Sequence, residues 1–177
     1  MKEEIKTGLF RYLNREISRE DFEEWTYLFC GELEKELPLD DYLEIMCIDY
    51  KKNGMYYTFA KLLFRNVDRM EFVNYRLRRL FARALENDDI LESALLETYD
   101  LAVNGNEIFR TSGYKYGIML DCGDMIGDDD WCIAKTNKEF IEIYRKEIYE
   151  EVEKIIKILN EQTLELDISG FNYYWNV

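Results

Sequence analysis

The chain has 177 residues, contains no histidine, and carries 37 acidic against 23 basic side chains, for a formal net charge of −14. The missing histidine removes the commonest general base and the commonest metal ligand, and the acid excess disfavours direct binding to nucleic acid. An apolar content of 47% and an aromatic content of 15% argue against disorder. At this length we expect a single domain over residues 1–177.

The chain shows no pattern typical of secretion or membrane insertion. No apolar segment follows the charged residues 1–4, and no run of about 18 apolar residues occurs. We therefore expect a cytoplasmic protein with no membrane partner. The four cysteines lack Cys-x-x-Cys spacing and have no histidine to complete a ligand set. This argues against structural zinc, and no cofactor is predicted.

Helical periodicity begins near the N-terminus. Apolar residues at four-residue spacing predict a helix over residues 2–14. Ser18 has the character of an N-cap, with acidic residues in the turn that follows, and Pro38 is expected to end the helix that Ser18 begins. A third helix is predicted from Asp40 to residue 49, before the Asn-Gly pair at residues 53–54.

The same period continues through most of the chain. It predicts helices over residues 55–65 and 68–86, and another between the Asn-Asp pair at 87–88 and the Asn-Gly pair at 104–105. The strongest pattern covers residues 137–160, where an apolar stripe is accompanied by glutamate–lysine pairs four residues apart.

Two stretches change period from helical to alternating. Residues 113–134 contain four glycines, and the apolar alternation over residues 114–120 predicts a strand followed by an acidic loop. At the C-terminus, residues 164–168 and 171–175 alternate on either side of a Ser-Gly pair, which predicts a hairpin with one apolar face. The predicted fold is therefore mainly α, a compact bundle of six or seven helices with a small antiparallel β element near the C-terminus.

The charge is segregated along the chain. Residues 54–87 carry 7 basic and 3 acidic side chains, whereas residues 88–134 carry 2 basic and 11 acidic ones. The arginines of the basic helix, between Arg69 and Arg83, could contact an anion or RNA, or could pair with neighbouring acidic helices. The surrounding negative charge favours internal pairing.

The densest acidic feature is a short segment in the third quarter of the chain, which contains Asp121, Asp124, Asp128, Asp129 and Asp130. An EF-hand beginning at Asp128 would place Cys132 at an oxygen-ligand position and Ile133 where glycine is required, so that motif is excluded. Three interpretations stay open: a weak divalent-cation site, a solvated loop, or a partner surface. In the last, Trp131 is an aromatic anchor inside an acidic rim, and these six residues are the predicted partner-binding site.

No catalytic residues are predicted. The chain lacks Gly-x-Ser-x-Gly, Gly-x-x-x-x-Gly-Lys and Gly-x-Gly-x-x-Gly, and no carboxylate is distinguished by its context. A metal-dependent enzyme or metal-binding domain centred on residues 121–130 is kept as an alternative to a binding protein. A nucleic-acid-mimicking inhibitor of a nuclease, of the kind that phages encode, is a second alternative, because it relies on the same charge.

In general character the chain resembles the small acidic immunity proteins that protect bacteria from polymorphic or contact-dependent toxins. The resemblance rests on size, acidity, the lack of a signal peptide and the aromatic helix over residues 17–25. It implies a one-to-one complex with a basic protein, a toxin or nuclease, whose association is steered electrostatically. It further implies that acidic side chains cover the substrate site of that toxin.

Overall fold

The computed structural model describes residues 1–52, 54–122, 134 and 136–167, and the described part of the chain is mainly helical, as predicted. Its helices are α1 (Glu3–Leu13), α2 (Arg19–Leu28), α3 (Cys30–Glu36), α4 (Leu39–Met46), α5 (Met55–Asn66), α6 (Arg69–Ala84), α7 (Asp88–Val103), α8 (Arg110–Ser112), α9 (Ile118–Asp121) and α10 (Asn137–Glu161). A 3₁₀ turn (Glu107–Phe109) precedes α8, and a π-helical segment (Gly113–Gly117) joins α8 to α9.

The described residues divide into two compact units, residues 1–73 and residues 74–167, which we call unit 1 and unit 2. The boundary falls within the sequence of α6, and the expectation of one domain over residues 1–177 stays a prediction. None of the described helices combines the length and the apolar character that crossing a bilayer would require.

Helix ends follow the local sequence closely. Ser18 is the N-cap of α2, and its hydroxyl accepts a hydrogen bond from the backbone N–H of Asp21 at 3.0 Å. Asn87 caps α7 in the same way. The helix predicted from Ser18 to Pro38 is divided at Phe29, which separates α2 from α3. This division, together with the short helices α8 and α9, brings the α-helices of the described residues to ten, against the six or seven predicted.

Unit 1 packs around a stack of aromatic rings. The rings of Tyr12 and Phe22 lie 4.0 Å apart and nearly parallel, and the stack continues through Trp25 to Phe29. Helix α1 can approach the indole because residue 8 is glycine: a Cβ there would overlap the ring of Trp25. The aromatic side chains of α2 therefore form the core contact between α1 and α2.

Unit 2 depends on a close approach between α7 and the π-helical segment. A Cβ at Gly113 would lie 2.8 Å from Cβ of Ala102, and a Cβ at Gly117 would lie 2.8 Å from Cβ of Tyr99. Real Cβ atoms do not approach other atoms so closely, so both positions require glycine. Because the glycines are four residues apart, they lie on one helical face, against α7.

The strand predicted over residues 114–120 is wrong, because that stretch is π-helical and then α-helical. The alternating pattern treated Tyr114 as an inward residue, but its side chain is 48% exposed. Gly113, Tyr116, Gly117 and Leu120 are the buried positions, and their spacing is helical. Gly113 and Gly117 form the surface that packs against α7.

The predicted C-terminal hairpin has no support in the described residues. Its first arm begins as extended chain with Leu164 and Leu166 buried, but residues 162–167 form no strand. Instead, the side-chain amide of Asn74 bonds both the N–H and the C=O of Leu164, at 2.8 and 2.9 Å. Asn106 bonds both backbone groups of Asp167 in the same way. Residues 168–175 lie outside the described residues.

Candidate functional site

One residue of the predicted partner-binding site, Asp121, lies in the described part of the chain. It is the last residue of α9 and is exposed. The other five predicted residues, Asp124, Asp128, Asp129, Asp130 and Trp131, lie outside the described residues. The structure therefore places the start of the acidic segment at the end of α9, which directly follows the π-helical segment whose glycines pack against α7.

The structure adds a carboxylate that the sequence analysis did not single out. Asp100, on α7, is exposed and lies close enough to Asp121 for their charges to interact. Partial desolvation raises the pKa of Asp100, and the negative charges of Asp121 and Glu97 raise it further. Asp100 lies three residues after Glu97, so both project from neighbouring positions on α7. Helical spacing could have linked these two, but only the fold brings Asp121 to them.

The neighbouring carboxylate, Glu97, is already paired with an arginine. Arg76, on α6, forms a bidentate ion pair with Glu97, and one of its two bonds measures 2.7 Å. The side chain of Glu97 is 11% exposed and that of Arg76 is 27% exposed, so the pair is largely shielded from water. This cation neutralises Glu97 and supports the predicted internal pairing of the basic helix.

Other cations of unit 2 also serve the fold. The guanidinium of Arg78 donates a hydrogen bond to the backbone carbonyl of Leu159, near the C-terminal end of α10. Arg145, on α10, forms a bidentate pair with Asp88 at 2.7 and 2.8 Å, and this hydrogen bonding lowers the pKa of Asp88. These contacts join α6 and α7 to α10, so the positive charges are used within unit 2.

We call Asp100 and Asp121 the acidic patch. Chemically it can attract a cation and accept hydrogen bonds from one. Among the described residues, no cluster of cysteine and carboxylate side chains has the arrangement needed to hold a metal ion. What the described geometry offers is a negative surface on a rigid helical base, continued in sequence by the acidic segment.

Comparisons with protein-family models, with curated proteins and with solved structures find no significant match for this chain.

Proposed function

We propose that this chain is an acidic binding protein that neutralises a basic protein partner. This activity and the general resemblance to small acidic immunity proteins favour a role in immunity against a bacterial toxin. The proposed interface contains the acidic patch and the segment that continues it, Asp124, Asp128, Asp129 and Asp130, with Trp131 as its aromatic anchor.

The observation that supports this proposal is that Asp100 and Asp121 are both exposed and lie close enough for their charges to interact, so that partial desolvation and this repulsion raise the pKa of Asp100. Two exposed carboxylates that repel each other make the isolated protein less stable, and a cation placed between them relieves the repulsion. The nearby Arg76 already neutralises Glu97. A lysine or arginine of a partner would therefore gain an interaction that the described part of the chain does not supply.

The charge of the whole chain favours the same conclusion. A net charge of −14 produces a long-range field that attracts a basic protein and accelerates encounter. Rim charges act mainly on the association rate, whereas a desolvated aromatic anchor acts on the dissociation rate. We expect the aspartates to control the association rate and Trp131 to control the dissociation rate.

The test is affinity capture from the native cell, followed by association kinetics at two salt concentrations. We expect a basic partner whose association slows as salt rises. Steering can raise association rates by about 10- to 1000-fold in total, so the variant Asp100→Asn/Asp121→Asn should associate several-fold more slowly. Reversing Asp128, Asp129 and Asp130 to lysine should slow association further while leaving the protein folded.

A matched control separates local from global charge. The variant Glu24→Gln/Glu34→Gln removes the same charge from exposed positions of unit 1. It should slow association less than the change in the acidic patch. Equal slowing by the two variants would move the interface away from the acidic patch, toward the acidic helices of residues 20–49. Recovery of acidic partners alone, or of none, would overturn the proposal as a whole.

A further inference from the structure

An extended segment at the end of the described chain is held by two side-chain amides of unit 2. Residues 162–167, which we call the strap, follow α10 as extended chain. Asn74, on α6, bonds both backbone groups of Leu164. Asn106, in the turn after α7, bonds both backbone groups of Asp167. The strap is therefore fixed at two points three residues apart.

Each amide bonds the strap as a neighbouring β-strand would. The Nδ2 of Asn74 donates to the carbonyl of Leu164 at 2.9 Å, and its Oδ1 accepts from the N–H of the same residue at 2.8 Å. In an antiparallel sheet, a hydrogen-bonded residue exchanges the same two bonds with its partner strand. The matching distances between Asn106 and Asp167 are 2.9 and 2.8 Å. Because the backbone groups of an extended chain alternate between its edges, the two asparagines hold opposite edges of the strap.

The amides contact backbone atoms of the strap, so these bonds do not depend on which side chains the strap carries. Side chains contribute at alternate positions: Leu164 and Leu166 are 9% and 8% exposed, whereas residues 163, 165 and 167 are exposed. Backbone hydrogen bonds combined with burial of every second side chain are the means by which proteins bind an extended peptide. The strap therefore occupies a groove of unit 2 that has the chemistry of a peptide-binding site.

The two asparagines are part of the interior of unit 2 and face the strap. Asn74 is 1% exposed and Asn106 is 7% exposed. The Nδ2 of Asn106 also donates to the carbonyl of Leu101 at 3.0 Å, which fixes the orientation of its amide toward the strap. A buried amide that loses its partner destabilises the fold unless another group replaces that partner. The groove therefore favours an occupant that offers a backbone N–H and C=O at each of the two points.

The contacts of the strap are few for its length. Four hydrogen bonds from the two amides and the burial of two leucines act against the conformational entropy of six ordered residues. The entropy lost by ordering one residue is similar in size to the net gain from one hydrogen bond. Segments with such a balance open locally, without unfolding of the helices that they cover. The groove is therefore accessible through a local opening of the strap.

We propose that this groove is a binding site for an extended peptide segment with apolar side chains at alternate positions, and that the strap is its intramolecular occupant. A segment of another protein takes the place of the strap when the strap opens, and forms the same four bonds through its own backbone. Because the strap is tethered, it competes at an effective concentration on the order of mM, so its opening controls access. The site is independent of the proposed acidic interface, since none of the four bonds involves Asp100 or Asp121.

The test is fluorescence anisotropy with a labelled peptide that has the sequence of the strap, Gln-Thr-Leu-Glu-Leu-Asp. In the native full chain the tethered strap competes, and weak binding is expected. The full-chain variant Leu164→Ala/Leu166→Ala weakens the hold on the strap and leaves the asparagines of the groove unchanged. This opened variant should bind the labelled peptide roughly tenfold or more tightly than the native chain does.

Matched controls separate the groove from nonspecific binding. Leu39→Ala/Leu43→Ala removes two leucines of α4 that are exposed, and it should bind the peptide as the native chain does. N-methylation of the peptide at the position of Leu164 removes the N–H that Asn74 accepts, and should weaken binding to the opened variant by about tenfold. A peptide with glycine in place of both leucines should not reach saturation.

Native-state hydrogen exchange tests the opening of the strap in the unmodified chain. The N–H groups of Leu164 and Asp167 should exchange about tenfold or more faster than those of Leu95 and Leu101 in the core of α7. The proposal is overturned if the strap and α7 exchange together, which would mean that the strap opens only with the whole unit. It is also overturned if the opened variant binds the peptide no more tightly than the native chain, or binds the N-methylated peptide equally well. None of these results bears on the acidic patch, whose test depends on a basic protein partner.

Discussion

Units 1 and 2 solve the same packing problem in opposite ways. Unit 1 fills its interior with wide rings, from Tyr12 to Phe29, and leaves the hydroxyl of Tyr12 without a described partner. Unit 2 brings helices together through Gly113 and Gly117 and joins them with bidentate arginine–carboxylate pairs. The named polar side chains of unit 2 are thus paired, whereas the buried hydroxyl of Tyr12 in unit 1 has no partner among the described residues.

The difference also separates structural from functional charge. In unit 2, Arg76 and Arg145 hold helices together. In unit 1, Arg65 is paired with Asp41 at 2.9 Å, whereas Arg15 and Arg19 pair with no described carboxylate and Arg15 has a left-handed backbone. Asp100 of unit 2 is the exception, because it lies next to other negative charges. The paired arginines therefore stabilise the fold, whereas the charge of Asp100 reduces its stability.

The largest expected effect concerns the close packing of the π-helical segment against α7 in unit 2. Gly117→Ala would push a methyl group against the backbone of Leu95 and against Cβ of Tyr99. Because main-chain atoms cannot move aside as a side chain can, we expect a loss of about 3 kcal/mol in the free energy of unfolding. Urea unfolding followed by circular dichroism measures it.

Gly31, in α3 of unit 1, provides the matched control. A Cβ there meets nothing within 4 Å. Alanine is the better helix former, so Gly31→Ala should stabilise the protein by about 0.5–1 kcal/mol. Equal stability of the two variants would show that the α7 contact does not require glycine.

The next effect concerns the paired arginine. Arg76→Met should lower the free energy of unfolding by about 2 kcal/mol, because it leaves the carboxylate of Glu97 largely buried without its cation. The double variant Arg76→Met/Glu97→Leu should recover most of the loss. The contrast with Arg15→Gly, which places glycine at a left-handed backbone position and should not destabilise the protein, is the sharpest measure of the difference between the units. If Arg76→Met left the free energy of unfolding unchanged, that contrast would disappear.

The smallest effect concerns Asp100, whose pKa is raised in the folded protein. A raised pKa means that the folded state binds the proton more tightly than the unfolded state does, so this aspartate lowers stability as pH rises through its titration. Asp100→Asn should therefore stabilise the protein at pH 7. Below the pKa of the unfolded chain, near about pH 3, both forms are neutral and the gain should vanish.

Urea unfolding at the two pH values measures this gain. Asp121→Asn is the companion variant, because it removes one of the charges that raise the pKa of Asp100. This variant should also stabilise the protein at pH 7. A destabilised Asp100→Asn at pH 7 would show that the carboxylate supports the fold rather than the proposed interface.

Much of the helical fold was predictable from local sequence. The cap at Ser18, the stop before Pro38, and the long period over residues 137–160 each depend on residues close in sequence, and each corresponds to a helix end or a helix in the structure. The helical structure of residues 114–120 could not be predicted from the local sequence. It depends on the contact of Gly113 and Gly117 with α7, which lies outside the local pattern. Alternation alone could not distinguish a helical contact face from a strand.

The candidate sites were less predictable than the fold. Asp121 was identified from acidic density, but its neighbour Asp100 lies 21 positions earlier and is joined to it by the packing of α7 against the π-helical segment.

The sequence by itself determined the net charge, the absence of histidine, the helical class and most helix ends, because these depend on composition or on interactions within a few residues. The tertiary structure alone decided which charges are consumed by pairing and which polar groups are left over. It also decided that residues 162–167 bond the amides of Asn74 and Asn106 instead of a neighbouring strand. Such partners are remote in sequence, and only the folded chain brings them within hydrogen-bond distance.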